Sequence, residues 1–202
     1  MTWQLFGEAF VTLFVIMDPP GTVPIFLVLT GAGSTAAQRQ RAALVAVAVA
    51  LGVIVTFALF GQVILDYLGI SLPALQTAGG LLLLLVALQL LTGAMDDPGT
   101  PARGNVAMVP LGTPLLAGPG AIVATMVFVQ RSDDAADYLA VAAAILAVHV
   151  LLWIFMRYSV VIIRVLRESG ILLISRIAGL LLAAIAVQLV ADAVRAFIEG
   201  AG

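Results

Sequence analysis

The chain has 202 residues, of which 63% are hydrophobic and 10% charged, against roughly 45–50% and 25% in soluble proteins. Its mean hydropathy of +1.20 places it in a bilayer. Nine arginines with no lysine, set against eleven acids, supply no basic stripe for a nucleic-acid backbone.

The absence of cysteine removes disulfides, thiolate metal sites and cysteine nucleophiles together. His149 is the single histidine, which excludes sites needing two, and neither HExxH nor GxSG occurs. An enzyme is not expected.

A hydrocarbon core about 30 Å thick takes roughly 20 apolar residues of helix. Six runs of that kind predict an all-α membrane protein with spans at 5–29, 42–65, 73–91, 106–129, 138–155 and 177–194, filling 1–202 as a single transmembrane domain. The first run has no basic flank and carries Asp18 in its middle, so it reads as a span rather than a cleaved signal. Polar residues fall in the linkers 34–41, 96–105, 130–137 and 157–175, the last amphipathic enough to extend span five along or out of the interface. Arg39, Arg41, Arg103, Arg157, Arg164, Arg167 and Arg176 share one side, and Arg131 and Arg195 the other. Cytoplasmic loops carry the basic excess, so both termini are expected outside a cytoplasmic membrane.

Shifted by 99 residues, the chain matches itself. Gly80-Leu81-Leu82-Leu83 falls on Gly179-Leu180-Leu181-Leu182, Gln89-Leu90 on Gln188-Leu189, and Pro20-Gly21 on Pro119-Gly120. Three spans per half is an odd number, so the halves, about 1–95 and 105–202, enter from opposite sides and the repeat is inverted. Inverted halves are the architecture of alternating-access carriers, and of some channels.

Spans one and four carry helix breakers at repeat-matched positions: Asp18-Pro19-Pro20-Gly21-Thr22-Val23-Pro24, and Gly118-Pro119-Gly120 preceded by Pro110 and Pro114. Proline removes a donor and clashes with the preceding turn, and broken backbone is tolerated at membrane depth only inside protein or beside a wet cavity. Pro20 and Pro119 suit the first turn of a new helix. The amides of Gly21, Thr22, Gly120 and Ala121 are then expected free for a carboxylate, while the carbonyls ending each first half suit an ammonium group or a small cation. Matched breaks that merely kink packed helices are the alternative. Asp18, a carboxylate at mid-span, could cap the Pro-Pro start, receive an ammonium group or bind a coupling ion, Na+ or H+. The same shift lands it on Ala117.

Gln89 and Gln188, matched amides of spans three and six, are expected buried, either bridging helices or meeting substrate. Gly79, Gly80 and Gly179 are expected to let helices approach closely. Thr22, Thr113 and Thr125 lie near the breaks as donors, or bond back to their own helices. His149 suits proton coupling, since imidazole titrates near neutrality, or bridges helices in its neutral form. No cofactor is expected beyond the coupling ion. Ala- and Gly-rich faces permit a homo-oligomer without specifying one.

The Asp18 to Gly21 DPPG with Pro24-Ile25-Phe26, the stretch from Ala78-Gly79-Gly80 to Gln89, the run from Val109-Pro110 through Pro114 to Ala121, and Arg176 to Gln188 resemble the MarC family of membrane proteins in order and over essentially the whole chain. The resemblance implies six spans in inverted three-plus-three halves. It further implies, from the family's characterised transporters, glycine- or alanine-like substrates near the broken helices of spans one and four. The expected function is a secondary transporter of small neutral amino acids, with Asp18, Pro20, Gly21, Thr22, Gly118, Gly120, Ala121, Gln89 and Gln188 around the substrate. A channel or a membrane scaffold is the alternative.

Overall fold

The computed structural model describes residues 2–31, 33–92 and 116–199. Their regular structure is helical: α1 (Thr2–Met17), α2 (Pro19–Thr30), α3 (Ala36–Leu68), α4 (Leu72–Thr92), α5 (Pro119–Gln130), α6 (Ala135–Arg157) and α7 (Ser159–Glu199). Among the described residues, Thr2–Thr30, Ala36–Leu68, Leu72–Thr92, Ala135–Arg157 and Ser169–Glu199 are long and apolar enough to cross a bilayer, the first of them interrupted at Asp18. The expected fourth span is represented by α5 from Pro119 onward. Its residues 106–115, with Pro110, Thr113 and Pro114, and the loop carrying Arg103, lie outside the described residues.

The helices run past the hydrophobic stretches, because their ends are set by caps rather than by hydropathy. Thr35 and Gln38 form a reciprocal capping box at the start of α3, and Gly69 ends it in a left-handed conformation. Asp134 accepts from the Asp137 amide at 2.8 Å at the start of α6. The segment 157–175, expected to extend span five along or out of the interface, is largely helical. α7 is interrupted at Arg167 (φ 54°, ψ 170°), and the spanning part begins at Ser169. No proline or glycine occupies the break itself.

The half-helices have related neighbours: α2 packs mainly on α7 and α6, and α5 on α4 and α3 as well as on α1. α4 lies against α7, α3 against α6, and α1 against α6 and α5. The α4–α7 pair is antiparallel. A Cβ on Gly80 would lie 2.8 Å from the Ala186 carbonyl oxygen and 3.4 Å from Leu189 Cβ, while one on Gly179 would lie 3.3 Å from the Ala87 carbonyl oxygen and 3.0 Å from Leu90 Cβ. Glycine at both points lets the two backbones touch, as expected of them.

Val15, Leu83, Ala87, Leu182 and Ala186 form one small buried cluster at this crossing. The larger one joins α1, α3, α5 and α6 and includes Met17, Leu116, Ala117 and Ala121, the residues flanking both breaks. Along α1, Trp3, Phe6, Phe10 and Phe14 follow one another at ring-centroid spacings of 6.3, 5.9 and 6.1 Å. Exposed Leu59, Val63, Leu85, Leu139, Leu146 and Leu180 supply the surface that meets lipid tails.

Candidate functional site

At the first break Asp18 takes a left-handed backbone (φ 40°, ψ 67°), a conformation aspartate tolerates better than most residues at a cost of about 1 kcal/mol. Its amide still donates to the Phe14 carbonyl at 3.0 Å, and its own carbonyl accepts from Thr22 at 3.0 Å. Oδ1 accepts from the Gly21 amide at 3.2 Å, capping α2. Oδ2 is buried and has no hydrogen-bond partner among the described residues, and the residue as a whole is 8% exposed. A Cβ on Gly21 would overlap this oxygen and lie 3.1 Å from Ser175 Oγ on α7.

The prolines also strip donors from the surrounding carbonyls. Pro19 and Pro20 have no N–H to return to Val15 and Ile16, and Pro24, inside α2, has none for Pro20. The Gly21 amide, turned to the Asp18 side chain, is diverted from Met17. The end of α1 therefore presents carbonyl oxygens beside a carboxylate oxygen, a set of acceptors that suits an ammonium group or a small cation.

The second break differs. Gly118 caps α5 from an extended conformation with no side-chain hydrogen bond, and Pro119 follows at the first helical position. Ala121 and Ile122 donate to the Gly118 carbonyl at 3.0 and 3.2 Å. Among the four amides expected free, Gly21, Thr22 and Ala121 are thus already bonded within their own helix starts. The cause is local: an aspartate cap supplies its own anion, and the first turn tightens through i−3 bonds. Only the Gly120 amide has no partner among the described residues. A Cβ on Gly120 would overlap Leu83 Cδ2, so α4 covers this start closely.

The Thr22 hydroxyl bonds back to the Pro19 carbonyl at 2.8 Å, which leaves it no free donor. Among the described residues, Thr125 Oγ1 is buried without a partner. His149 is 2% exposed; its Nδ1 is 2.7 Å from the Ile145 carbonyl and its Nε2 has no partner among the described residues. Gln89 and Gln188 do not join the site. Both are exposed, and Gln188 Nε2 donates to Asp192 Oδ1 at 2.8 Å on its own helix. Where lipid tails replace water, an amide need not face inward if a residue one turn away satisfies it.

The first break instead brings in a residue that span assignment does not single out. Ser175 is buried on α7 against Gly21, within a segment expected as linker. Its partner under the 99-residue shift, Gln76, is the buried glutamine of α4. That match, extended beyond the apolar cores of the spans, is the signal that could have found both.

Together these features define an all-helical, multi-pass integral membrane protein whose first span is interrupted around a buried acid. The sequence pattern of the MarC family of integral membrane proteins matches residues 3–198, and the chain belongs to that family. A UPF0056 membrane protein of Methanocaldococcus jannaschii is 37% identical over 96% of this chain and 98% of its own. YhcE of Escherichia coli, a UPF0056 membrane protein, is 32% identical over 98% and 95%. The inner membrane protein MarC of Escherichia coli is 31% identical over 98% and 97%. Their names state membrane residence and no cargo. No solved structure matches the chain.

Proposed function

We propose that this chain is a secondary transporter of small neutral amino acids, moving them across the cytoplasmic membrane by alternating access. The observation that carries the proposal is the unpartnered Oδ2 of Asp18, held beside donor-stripped carbonyls at a helix break. A mid-membrane carboxylate costs about 2.5–3.5 kcal/mol on insertion scales and is functional by default. The two breaks are chemically unequal, so the substrate has a direction. Its ammonium group lies at Asp18 and the end of α1, and its carboxylate at the uncapped start of α5, where Gly120 offers an amide. A small side chain follows from how closely Leu83 and Ser175 approach the two starts.

Alternating access rests on inverted halves. In support, matched residues meet matched residues across an antiparallel crossing, Gly80 with Ala186 and Leu189, Gly179 with Ala87 and Leu90. The second buried cluster pairs Leu83 with Leu182 and Ala87 with Ala186, each 99 apart. α2 uses α7 and α6 as α5 uses α4 and α3. Location in the cytoplasmic membrane is supported by the inner-membrane relative, and outward termini by the arginine imbalance. Energy comes from a gradient of the substrate or of a coupling ion, Na+ or H+, for which Asp18 is the acceptor.

The test is saturable binding of glycine, alanine or serine by the purified protein, followed by counterflow in proteoliposomes. Acceleration of labelled uptake by internal unlabelled substrate is the expected result. Downhill flux without acceleration means a channel, and neither binding nor flux removes the proposal.

A further inference from the structure

A groove of about 480 Å³ opens between the outer turns of α1 and the end of α5, lined by Gly7, Glu8, Val11, Thr12, Phe128 and Arg131. Among the described residues, Glu8 and Arg131 are its only charged groups, one on each wall. They do not pair with each other. Glu8 Oε1 is held by Gln4 Nε2 at 2.9 Å, and the Arg131 guanidinium carbon lies 5.9 Å from the Phe128 ring centroid. Each charge is steadied by its own helix, Glu8 by Gln4 and Arg131 by Phe128. Nothing lies within 4 Å of where a Cβ on Gly7 would stand, so the floor has room, and Thr12 adds a hydroxyl.

The groove also stands in line with the two breaks. α1 runs inward to Asp18 and α5 runs outward from Pro119, and the two pack together. At 1.5 Å per residue, Glu8 is about 14 Å from the first break and Arg131 about 18 Å from the second, which is the half-thickness of the hydrocarbon core. Glu8 and Arg131 therefore lie at the outer ends of the two helices that lead to the breaks.

We infer that this groove is a second, outer subsite that takes a zwitterionic amino acid, its carboxylate on Arg131 and its ammonium group on Glu8, before transfer to the breaks. The inference rests on the transporter reading for its role, while binding in the groove is separable from it. A molecule with both charges a few ångströms apart bridges two walls that neither an anion nor a cation alone would bridge.

The experiment uses the full chain in proteoliposomes and in detergent, with glycine as probe and acetate and glycinamide as single-charge controls. Arg131→Gln and Glu8→Gln each raise the half-saturating glycine concentration for uptake at this face about two- to fivefold, the value of one exposed charge contact, and leave the maximal rate within twofold. The charge-swapped double variant Glu8→Arg/Arg131→Glu recovers most of the loss, because a zwitterion can turn round; a merely structural role for either side chain would not be rescued. Neither acetate nor glycinamide competes as well as glycine. An unchanged half-saturation in both single variants, or a fall in maximal rate alone, overturns the subsite. If glycine binds in detergent and binding weakens in Arg131→Gln, yet no variant and no wild-type sample transports, the groove stands and the transporter reading falls. If Gly120→Val loses all binding and transport while Arg131→Gln equals wild type, the groove falls and the central site stands.

Discussion

Gly80 and Gly179 make the same contact in opposite directions, each against the carbonyl of an alanine and the Cβ of a leucine on the other's helix. The contact is tighter at Gly80, where an added Cβ would stand 2.8 Å from the Ala186 oxygen and 2.7 Å from Val190 Cγ2, against 3.0 Å at nearest for Gly179. Backbone cannot step aside as a side chain can. Gly80→Ala is expected to destabilise by about 1–3 kcal/mol and Gly179→Ala by less than about 1.5 kcal/mol. Thermal unfolding in detergent ranks them; an equal or reversed order would mean that α4 and α7 slide freely.

Asp18→Asn separates capping from charge. Asparagine tolerates the left-handed backbone and can still accept from the Gly21 amide, so stability should stay within about 0.5 kcal/mol of wild type, while Asp18→Ala loses about 1 kcal/mol with the cap. Counterflow should fall at least about tenfold in both variants, the scale of one lost charge-assisted contact. Wild-type exchange in Asp18→Asn would reduce Asp18 to a cap.

Gly120→Val is expected to abolish transport with expression largely retained. The overlap at this glycine is with the end of a leucine side chain, which can turn away, but the displaced Leu83 and the new methyls fill the α5 start. Gly120→Ala with Leu83→Ala should be less damaging than the sum of the two single changes, by about 0.5–3 kcal/mol, because the residues share one space. Additive losses would show that they do not compete.

Arg167 has the backbone conformation most typical of glycine, with φ 54° and ψ 170°. Arg167→Gly should raise the unfolding temperature, corresponding to about 1 kcal/mol, and Arg167→Val should lower it. No gain on glycine substitution would argue against strain at this break.

A reporter that is active only in the cytoplasm should remain inactive when fused after Gly202, since the expected span order puts seven of nine arginines on the other side. Activity at both termini would reverse the orientation.

The sequence makes both helix starts legible to within a residue: Pro20 and Pro119 are expected in a first turn, and α2 begins at Pro19 after Asp18 and α5 at Pro119 after Gly118. Proline and glycine act on their own backbone, so their effect needs no knowledge of neighbours. Which way a side chain faces is another matter. In a soluble helix the polar face marks the outside, but here both lipid and core are apolar, so nothing in the pattern turned Gln89 and Gln188 outward or Ser175 inward. The bonded amides of Gly21, Thr22 and Ala121 escaped for a similar reason, since counting free donors in a first turn ignores the cap and the i−3 bonds that consume them. The Arg167 break carries no local signal at all.

The aromatic ladder of α1 changes how a motion at Asp18 would be felt elsewhere. Trp3, Phe6, Phe10 and Phe14 brace the helix along its length, which leaves the left-handed residue as the place where it can turn. Such a rod is a lever. With an arm of about 22 Å, a swing of about 10° at Asp18 carries Trp3 about 4 Å through the membrane surface. An adjustment around one carboxylate would thereby be enlarged into a displacement at the membrane surface where α1 begins.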